Sequence, residues 1–168
     1  DVSGREVSDI GGRCTIVIDH FKRLFADAPI DVQVLNQLMG DVDARLSDVQ
    51  VKYLNAPITE QELLVAVLSL KNGKSSGLDG LPAEFYKMYW NDIKDLYLAM
   101  LNESIASGLL SQSQRMAVVK LLPKKGDLRQ LSNWRPISLL NTDYKIMAKV
   151  MSKRLGNVIG TLVHTDQR

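Results

Sequence analysis

The sequence predicts an α+β fold that is mostly helical and carries one small antiparallel β-hairpin. Apolar residues recur every three or four positions, the spacing of one helix face, through most of the first 108 residues and again near the end of the chain. Two short β-prone runs stand between these helical parts, at residues 116–122 and 135–140. The 168 residues are enough for one ordinary domain with a sizeable core.

Residues 1–56 are predicted to form an acidic linker and helical N-terminal extension. A helix is expected at residues 14–25, because six apolar residues share one face: Cys14, Val17, Ile18, Phe21, Leu24 and Phe25. Val32, Leu35 and Leu38 predict a second, short helix. The remaining residues up to Asn55 show no clear period, so they are interpreted as linker.

The second predicted segment, residues 57–168, opens with a helix and a loop. Thr59 and Glu62 fit a capping box, in which Thr59 is the N-cap and Glu62 bonds back to its amide. This helix is expected to end near Lys71. Residues 72–81 (NGKSSGLDGL) hold three glycines and two serines, which predicts a loop with unusual backbone angles. Within that loop, Asp79 is expected to hold the backbone or cap the next helix.

A long apolar helical stretch follows the loop. Pro82 suits the first turn of its helix. An interruption is expected at Asn91 or Asp92, and Gly108 is expected to supply the C-cap.

The hairpin and one more helix complete the prediction. Twelve residues separate the two strands, more than a tight hairpin needs, so we expect a long loop or one with a short turn of helix. The last helix is predicted over residues 143–162. Its apolar face would contain Tyr144, Met147, Met151, Leu155, Val158 and Leu162, and a separate stripe would contain Lys145, Lys149 and Lys153.

The charge is divided along the chain. The whole sequence has a net charge of +2, but residues 1–66 hold six basic and eleven acidic residues, a net charge of −5. Residues 115–154 hold ten basic and two acidic residues, a net charge of +8. Such a basic region is typical of a nucleic-acid or polyphosphate contact, although solvated surface charge explains it equally well.

Several classes of protein are excluded or poorly supported. Gly73-Lys74-Ser75 resembles the end of a P-loop, but Leu68 stands where its first glycine is needed and a helix precedes it. Cys14 is the sole cysteine, so an intrachain disulfide is impossible and a reducing compartment is expected. The sequence has neither metal-ligand spacing around its two histidines nor a signal peptide. Its longest apolar run, residues 63–68, falls far short of the roughly 20 residues that span a bilayer.

Three stretches carry a resemblance to a known family. They are residues 73–87 (GKSSGLDGLPAEFYK), 119–127 (VKLLPKKGD) and 133–155 (NWRPISLLNTDYKIMAKVMSKRL). Their order and wording resemble the N-terminal part of reverse transcriptases from non-LTR (LINE-type) retrotransposons. The resemblance extends from about Pro57 to Gln167, and the first 55 residues resemble the family's variable linker only loosely.

The resemblance implies a fragment of an RNA-directed DNA polymerase. The chain would hold the fingers subdomain of a right-hand polymerase and lack the palm with its catalytic aspartates, so it would not be catalytic alone. It would contact the RNA template and the triphosphate of the incoming dNTP. The parent would require Mg²⁺ and a DNA primer. It would also contain the palm and thumb subdomains and an upstream endonuclease domain. The resemblance also implies an intracellular localisation, in the cytoplasm and nucleus, and no membrane partner is expected.

The resemblance and the chemistry of the side chains together nominate two sets of residues. Lys124 and Arg135, with Lys125 as a near neighbour, are the expected triphosphate contacts, because lysines offer point charges and arginine a planar fork. The expected template contacts are Lys71, Lys74, Lys120, Lys145, Lys149 and Lys153. No catalytic or metal-binding residue is predicted in this chain.

Two other functions are compatible with the sequence. The chain could be a stand-alone nucleic-acid-binding module with residues 115–154 as its surface. It could also be a helical interaction domain that forms homo-oligomers, in which the acidic half of one copy docks on the basic half of another.

Overall fold

The computed structural model describes residues 7–40 and 44–163. It consists of helices α1 (Ile10–Leu24), α2 (Val32–Gly40), α3 (Asp48–Leu54), α4 (Glu60–Ser69), α5 (Ala83–Met88), α6 (Trp90–Ser107) and α7 (Thr142–Gly156), and strands β1 (Ala117–Pro123) and β2 (Trp134–Leu140). The two strands pair as an antiparallel sheet. The predicted α+β class, mostly helical with a small hairpin, is therefore confirmed. His164 and the Asp166–Gln167 pair lie outside the described residues.

The chain divides into two units. The smaller contains Asp1–Asp43 and Leu121–Arg135, and the larger contains Ala44–Lys120 and Pro136–Arg168. Helices α1 and α2 thus belong to the smaller unit with the turn between the strands, and α3 to α7 belong to the larger unit. The predicted domain boundary at residue 56 stays a prediction.

The smaller unit is stabilised mainly by local contacts. Asp9 caps α1 by accepting a hydrogen bond from the amide of Gly12 at 2.6 Å. Neither α1 nor α2 has a buried residue. The connection between the strands contains one 3-10 turn, Leu131–Asn133, which agrees with the expected loop carrying a short turn of helix.

The core lies in the larger unit, where α4 contacts α5, α6 and α7, and α3 contacts α7. Its buried apolar residues are Ile58, Leu63, Ala66, Val67, Tyr86, Trp90, Tyr97, Leu101, Ile146 and Val150. The hydroxyl of Tyr97 donates to the carbonyl oxygen of Asp143 at 2.5 Å and so satisfies its polar end within this core. Burial raises the pKa of the Tyr97 phenol, which therefore stays neutral.

Capping boxes begin two helices. The predicted capping box at α4 is confirmed. Thr59 Oγ1 accepts a hydrogen bond from the backbone amide of Glu62, and the Glu62 carboxylate accepts one from the backbone amide of Thr59. A second box joins Ser47 and Gln50 at the start of α3. The interpretation of the remaining residues up to Asn55 as linker was therefore wrong for Asp48–Leu54. This helix is too short to show an apolar period and is stabilised by its contact with α7.

The long apolar stretch after the loop is interrupted earlier than predicted. The break falls at Tyr89, where φ is −101° and ψ is 19°, rather than at Asn91 or Asp92. Pro82 lies one position before the first turn, at the N-cap of α5. Gly108 has a φ of 68° and ends α6 in the left-handed conformation, as predicted.

The last helix differs from its prediction in length and in its buried face. It ends at Gly156, six residues earlier than expected, and a 3-10 turn at Ile159–Thr161 follows. The buried positions are Thr142, Ile146, Val150 and Arg154, one residue around the helix from the predicted stripe. Leu155 of that stripe is exposed, Met147 and Met151 pack at the edge of the core, and Val158, just beyond the helix, is buried as predicted. The stripe was misplaced because a buried arginine interrupts the apolar pattern.

Candidate nucleic-acid interface

The three expected triphosphate contacts surround one turn of the smaller unit. Lys124 and Lys125 follow the end of β1, Arg135 is the second residue of β2, and all three are exposed. The amide of Lys124 donates to the carbonyl oxygen of Asn133 at 2.7 Å, two residues before Arg135. This bond joins the two ends of the loop that carries the three residues.

Arg135 is accessible even though it begins a strand. Strand alternation groups Arg135 with Ile137 and Leu139, which would bury it if that face were core. In the structure Arg135 and Ile137 are exposed and Leu139 is half-buried. The guanidinium therefore reaches solvent, as a phosphate contact requires.

Side chains within the loop determine the backbone of this turn. Gly126 has a φ of 111°, which a side chain would disfavour. The side-chain Nδ2 of Asn133 donates to the carbonyl oxygen of Asp127 at 2.9 Å, and Trp134 Nε1 donates to the carbonyl oxygen of Leu128 at 2.8 Å. The backbone amide and the side-chain Nε of Arg129 both donate to the Asp127 carboxylate. These two bonds, the backbone bond most of all, lower the pKa of Asp127. Trp134 is half-buried and serves the loop rather than a deep core.

The six expected template contacts belong to the larger unit. Five of them, Lys71, Lys74, Lys120, Lys149 and Lys153, are exposed, and their ammonium groups have no hydrogen-bond or ion-pair partner in residues 7–40 and 44–163. Lys145 differs, because its Nζ donates to the carbonyl oxygen of Ser75 at 2.9 Å. Its charge is held at the glycine-rich loop. All six assignments stay predictions.

Charged side chains of α5 fix the start of the glycine-rich loop. Lys87 Nζ donates to the carbonyl oxygen of Leu70 and to Asn72 Oδ1, both at 2.6 Å. Glu84 Oε1 accepts from the amide of Gly73 at 2.6 Å, and this bond lowers the pKa of the Glu84 carboxyl. Neither role could be predicted from the sequence, because neither residue has a local signature of loop contact.

Residues at the start of α7 fix the end of the same loop. Asn141 is buried; its Oδ1 accepts from the amide of Asp79 at 3.4 Å and its Nδ2 donates to the carbonyl oxygen of Ser113 at 3.1 Å. Thr142 Oγ1 donates to the carbonyl oxygen of Leu81 at 2.6 Å. A Cβ added to Gly77 would lie 2.0 Å from Asn141 Oδ1, so only glycine fits there.

Asp79 has a structural contact of its own in this loop. Its Oδ1 accepts from the amide of Leu81 at 3.1 Å. This bond agrees with the prediction that Asp79 holds the backbone. Nearby, burial is the main cause that raises the pKa of the Asp143 carboxyl, and the charge of Asp79 adds to it.

One member of the basic region does not belong to any exposed surface. Arg154 is 3% exposed and bonds both carboxylate oxygens of Glu62, from Nε and Nη2, at 2.7 Å. Its remaining donors bond the carbonyl oxygens of Leu54, Ala56 and Pro57. The Arg154 bond is the largest cause that lowers the pKa of Glu62 from 4.5 to about 2. Arg154 therefore connects α7 to the segment between α3 and α4.

Metal ligands are not assembled in the described part of the chain. Residues 7–40 and 44–163 contain no group of three His, Cys, Asp or Glu side chains that could hold a metal ion. None of the described helices has the length and apolar character needed to cross a membrane.

Comparison with known proteins gives one informative relative. No protein-family model matches the chain. The chain is 42% identical over 147 residues to a Xenopus laevis protein described as the transposon TX1 uncharacterized 149 kDa protein. This similarity links the chain to a transposon. The matched part covers 88% of this chain but 11% of the relative, so the chain spans about a tenth of that protein's length.

Proposed function

We propose that the chain is part of the reverse transcriptase of a non-LTR retrotransposon, an RNA-directed DNA polymerase, and forms its fingers subdomain. The three motif stretches and the relation to a transposon-encoded protein support this proposal. In the parent, the chain contacts the RNA template and the incoming dNTP. The palm, thumb and Mg²⁺ ligands lie in other parts of that protein, and an endonuclease domain precedes them.

The observation that carries the proposal is the arrangement of cations around the turn at residues 123–135. Lys124, Lys125 and Arg135 are exposed on a loop whose backbone is fixed by its own hydrogen bonds. Two ammonium groups and one guanidinium on this loop supply positive charge that complements a triphosphate, and the guanidinium can bond two of its oxygens at once. An ordered loop backbone also reduces the entropic cost of binding the nucleotide.

The template contact is assigned to the larger unit. The five exposed lysines named above, Lys71, Lys74, Lys120, Lys149 and Lys153, supply positive charge that can replace counterions along a phosphate backbone. Lys145 contributes indirectly, because it holds the backbone of the glycine-rich loop that carries Lys74.

A salt titration of the purified chain tests the template assignment. Its affinity for a fluorescein-labelled single-stranded RNA of 12 nucleotides should fall steeply as salt rises. Each of Lys71→Ala, Lys149→Ala and Lys153→Ala should reduce the slope of log affinity against log salt by about 0.7, the value for one phosphate contact on a single strand. Lys94→Ala is the matched control, since Lys94 is paired with Glu60 at 2.8 Å and should leave the slope unchanged. A slope that none of the three lysine variants alters would contradict the assignment.

A second candidate, the interaction module, is favoured by the surface of the smaller unit. Helices α1 and α2 have no buried residue; Ile18 of α1, Leu38 of α2 and Phe25, which caps the end of α1, are exposed. Apolar side chains gathered on two helices are typical of protein contacts. Light scattering across a hundredfold range of concentration distinguishes the two functions. Reversible self-association that Phe25→Ser abolishes would support the interaction module, whereas a monomer at every concentration would exclude homo-oligomers.

A further inference from the structure

A cleft of about 710 Å³ opens in the larger unit and has no role in the assignments above. Helices α3, α4 and α7 line it, and its surface is more apolar than polar. Val65 and Ala66 of α4 and Val150 of α7 supply the apolar part. The volume lies within the range of sites that hold a small molecule or one group of a larger ligand.

Positive charge is concentrated at the cleft on α7. Lys149 and Lys153 both line it, and their spacing of four residues places them on one face of the helix. The lining carboxylate, Glu62, is neutralised by Arg154, which also lines the cleft. The lining therefore combines apolar surface with two ammonium groups that have no partner in the described part of the chain, which suits a ligand with a flat apolar part and neighbouring negative charges.

An aromatic ring completes the lining. Tyr53 of α3 is 38% exposed, and its hydroxyl accepts a hydrogen bond from Asn157 Nδ2 at 2.9 Å, which orients the ring. Cations beside an aromatic ring are the combination by which proteins bind single-stranded nucleic acid, with the ring stacking on a base and the cations bonding phosphates. A base inside a duplex is already stacked and paired, so it cannot enter the cleft without being extruded.

We infer that this cleft holds one unpaired base of a single-stranded nucleic acid against Tyr53, while Lys149 and Lys153 contact the phosphates beside it. The inference rests on the proposed function and deepens it, because it makes the α7 lysines part of a base-binding site. The cleft thus selects single strands over duplexes, which exposed lysines alone do not do.

The test measures fluorescence anisotropy of the full chain with three RNA probes at one low salt concentration. The probes are a labelled 12-nucleotide oligouridylate, the same strand with every base removed, and a 12-base-pair duplex. The intact strand should bind about tenfold more tightly than the abasic strand, in line with the measured effect of stacking one base. Tyr53→Ala should remove this preference and leave binding of the abasic strand unchanged.

Two variants control for the fold and for aromatic content. Tyr53→Phe keeps the ring and should retain most of the preference. Tyr89→Ala removes another exposed tyrosine of the same unit, which does not line the cleft, and should have no effect. Equal thermal melting of these variants shows that the fold is intact.

The possible failures are distinguishable. Equal affinity for intact and abasic strands, with normal salt dependence, would overturn the base site and leave the proposed function standing. No binding of any probe would count against the proposed function itself. Displacement of the oligouridylate by a 12-residue oligoglutamate at similar concentration would show that the cleft accepts an acidic peptide, and would also overturn the inference.

Discussion

Replacement of Arg154 by alanine should be among the most destabilising changes in the larger unit. The side chain is 3% exposed, and its nitrogen atoms bond Glu62 and the carbonyl oxygens of Leu54, Ala56 and Pro57. Arg154→Ala leaves the Glu62 carboxylate with only its bonds from Thr59 and removes the donors to three carbonyl oxygens. Removing one partner of a buried ion pair costs about 3–5 kcal/mol, and the lower end of that range is expected because the Glu62 side chain is 29% exposed. That is a large part of the roughly 5–15 kcal/mol that stabilises a typical domain.

Urea unfolding measures this loss directly. Fluorescence of the buried Trp90 reports the core and far-ultraviolet circular dichroism reports the helices. Lys153→Ala is the matched control, because Lys153 precedes Arg154 on the same helix but is exposed, and it should change stability by no more than about 0.5 kcal/mol. If Arg154→Ala lowered the free energy of unfolding by less than about 1 kcal/mol, Arg154 would not connect the two segments as described.

The same structure yields two further predictions. The pKa of Glu62 is about 2 in the folded chain and 4.5 in the unfolded chain, so its pair with Arg154 stabilises the fold fully above pH 4.5 and progressively less as the pH falls towards 2. After allowance for solvent screening, this group should make the free energy of unfolding in urea about 1–2 kcal/mol larger at pH 6 than at pH 3. If Glu62→Gln had the same pH dependence of unfolding as the wild type, the assignment would be contradicted. Gly77→Ala should lower the free energy of unfolding by about 1–3 kcal/mol, because its Cβ would overlap Asn141. Gly156→Ala is the control and should not lower it, since nothing lies within 4 Å of the added Cβ. Equal melting temperatures of the wild type and Gly77→Ala would refute the close approach of Gly77 to Asn141.

Much of the fold could be predicted because its signals are local. The capping residues Thr59 and Glu62 lie three positions apart, and Gly108 ends a helix through its own backbone conformation. Such features depend on a few neighbouring residues, so a single sequence contains them.

The errors arise where distant residues decide the structure. Arg154 is buried because it meets Glu62, 92 residues earlier, and without that partner a charged residue predicts an exposed position. Because Arg154 was expected to be exposed, the buried face of α7 was predicted one residue away from its actual position. Helix α3, with Tyr53, was interpreted as linker because its seven residues show no apolar period, although the capping box of Ser47 and Gln50 is a local signal of its start.

The candidate sites, like the fold, could be predicted where single residues are informative and not where distant residues come together. Residue type and resemblance nominated Lys124, Lys125 and Arg135, and their exposure on one turn is compatible with that role. The contacts of Asn141 with the glycine-rich loop could not be foreseen, since they join residues more than 60 positions apart. The cleft beside Tyr53 was missed for the same reason, because three separate helices form it.

The nucleotide dependence of the full-length parent enzyme with Arg135→Ala tests the central claim most directly. Loss of the guanidinium removes a charge-assisted contact to the triphosphate, so the KM for dNTP should rise about tenfold or more, while the Kd for the primer–template stays nearly unchanged. Arg115→Ala, which removes an exposed arginine outside the turn, should change neither quantity. A KM for dNTP that is the same in wild type and Arg135→Ala would contradict the assignment of this turn to the incoming nucleotide.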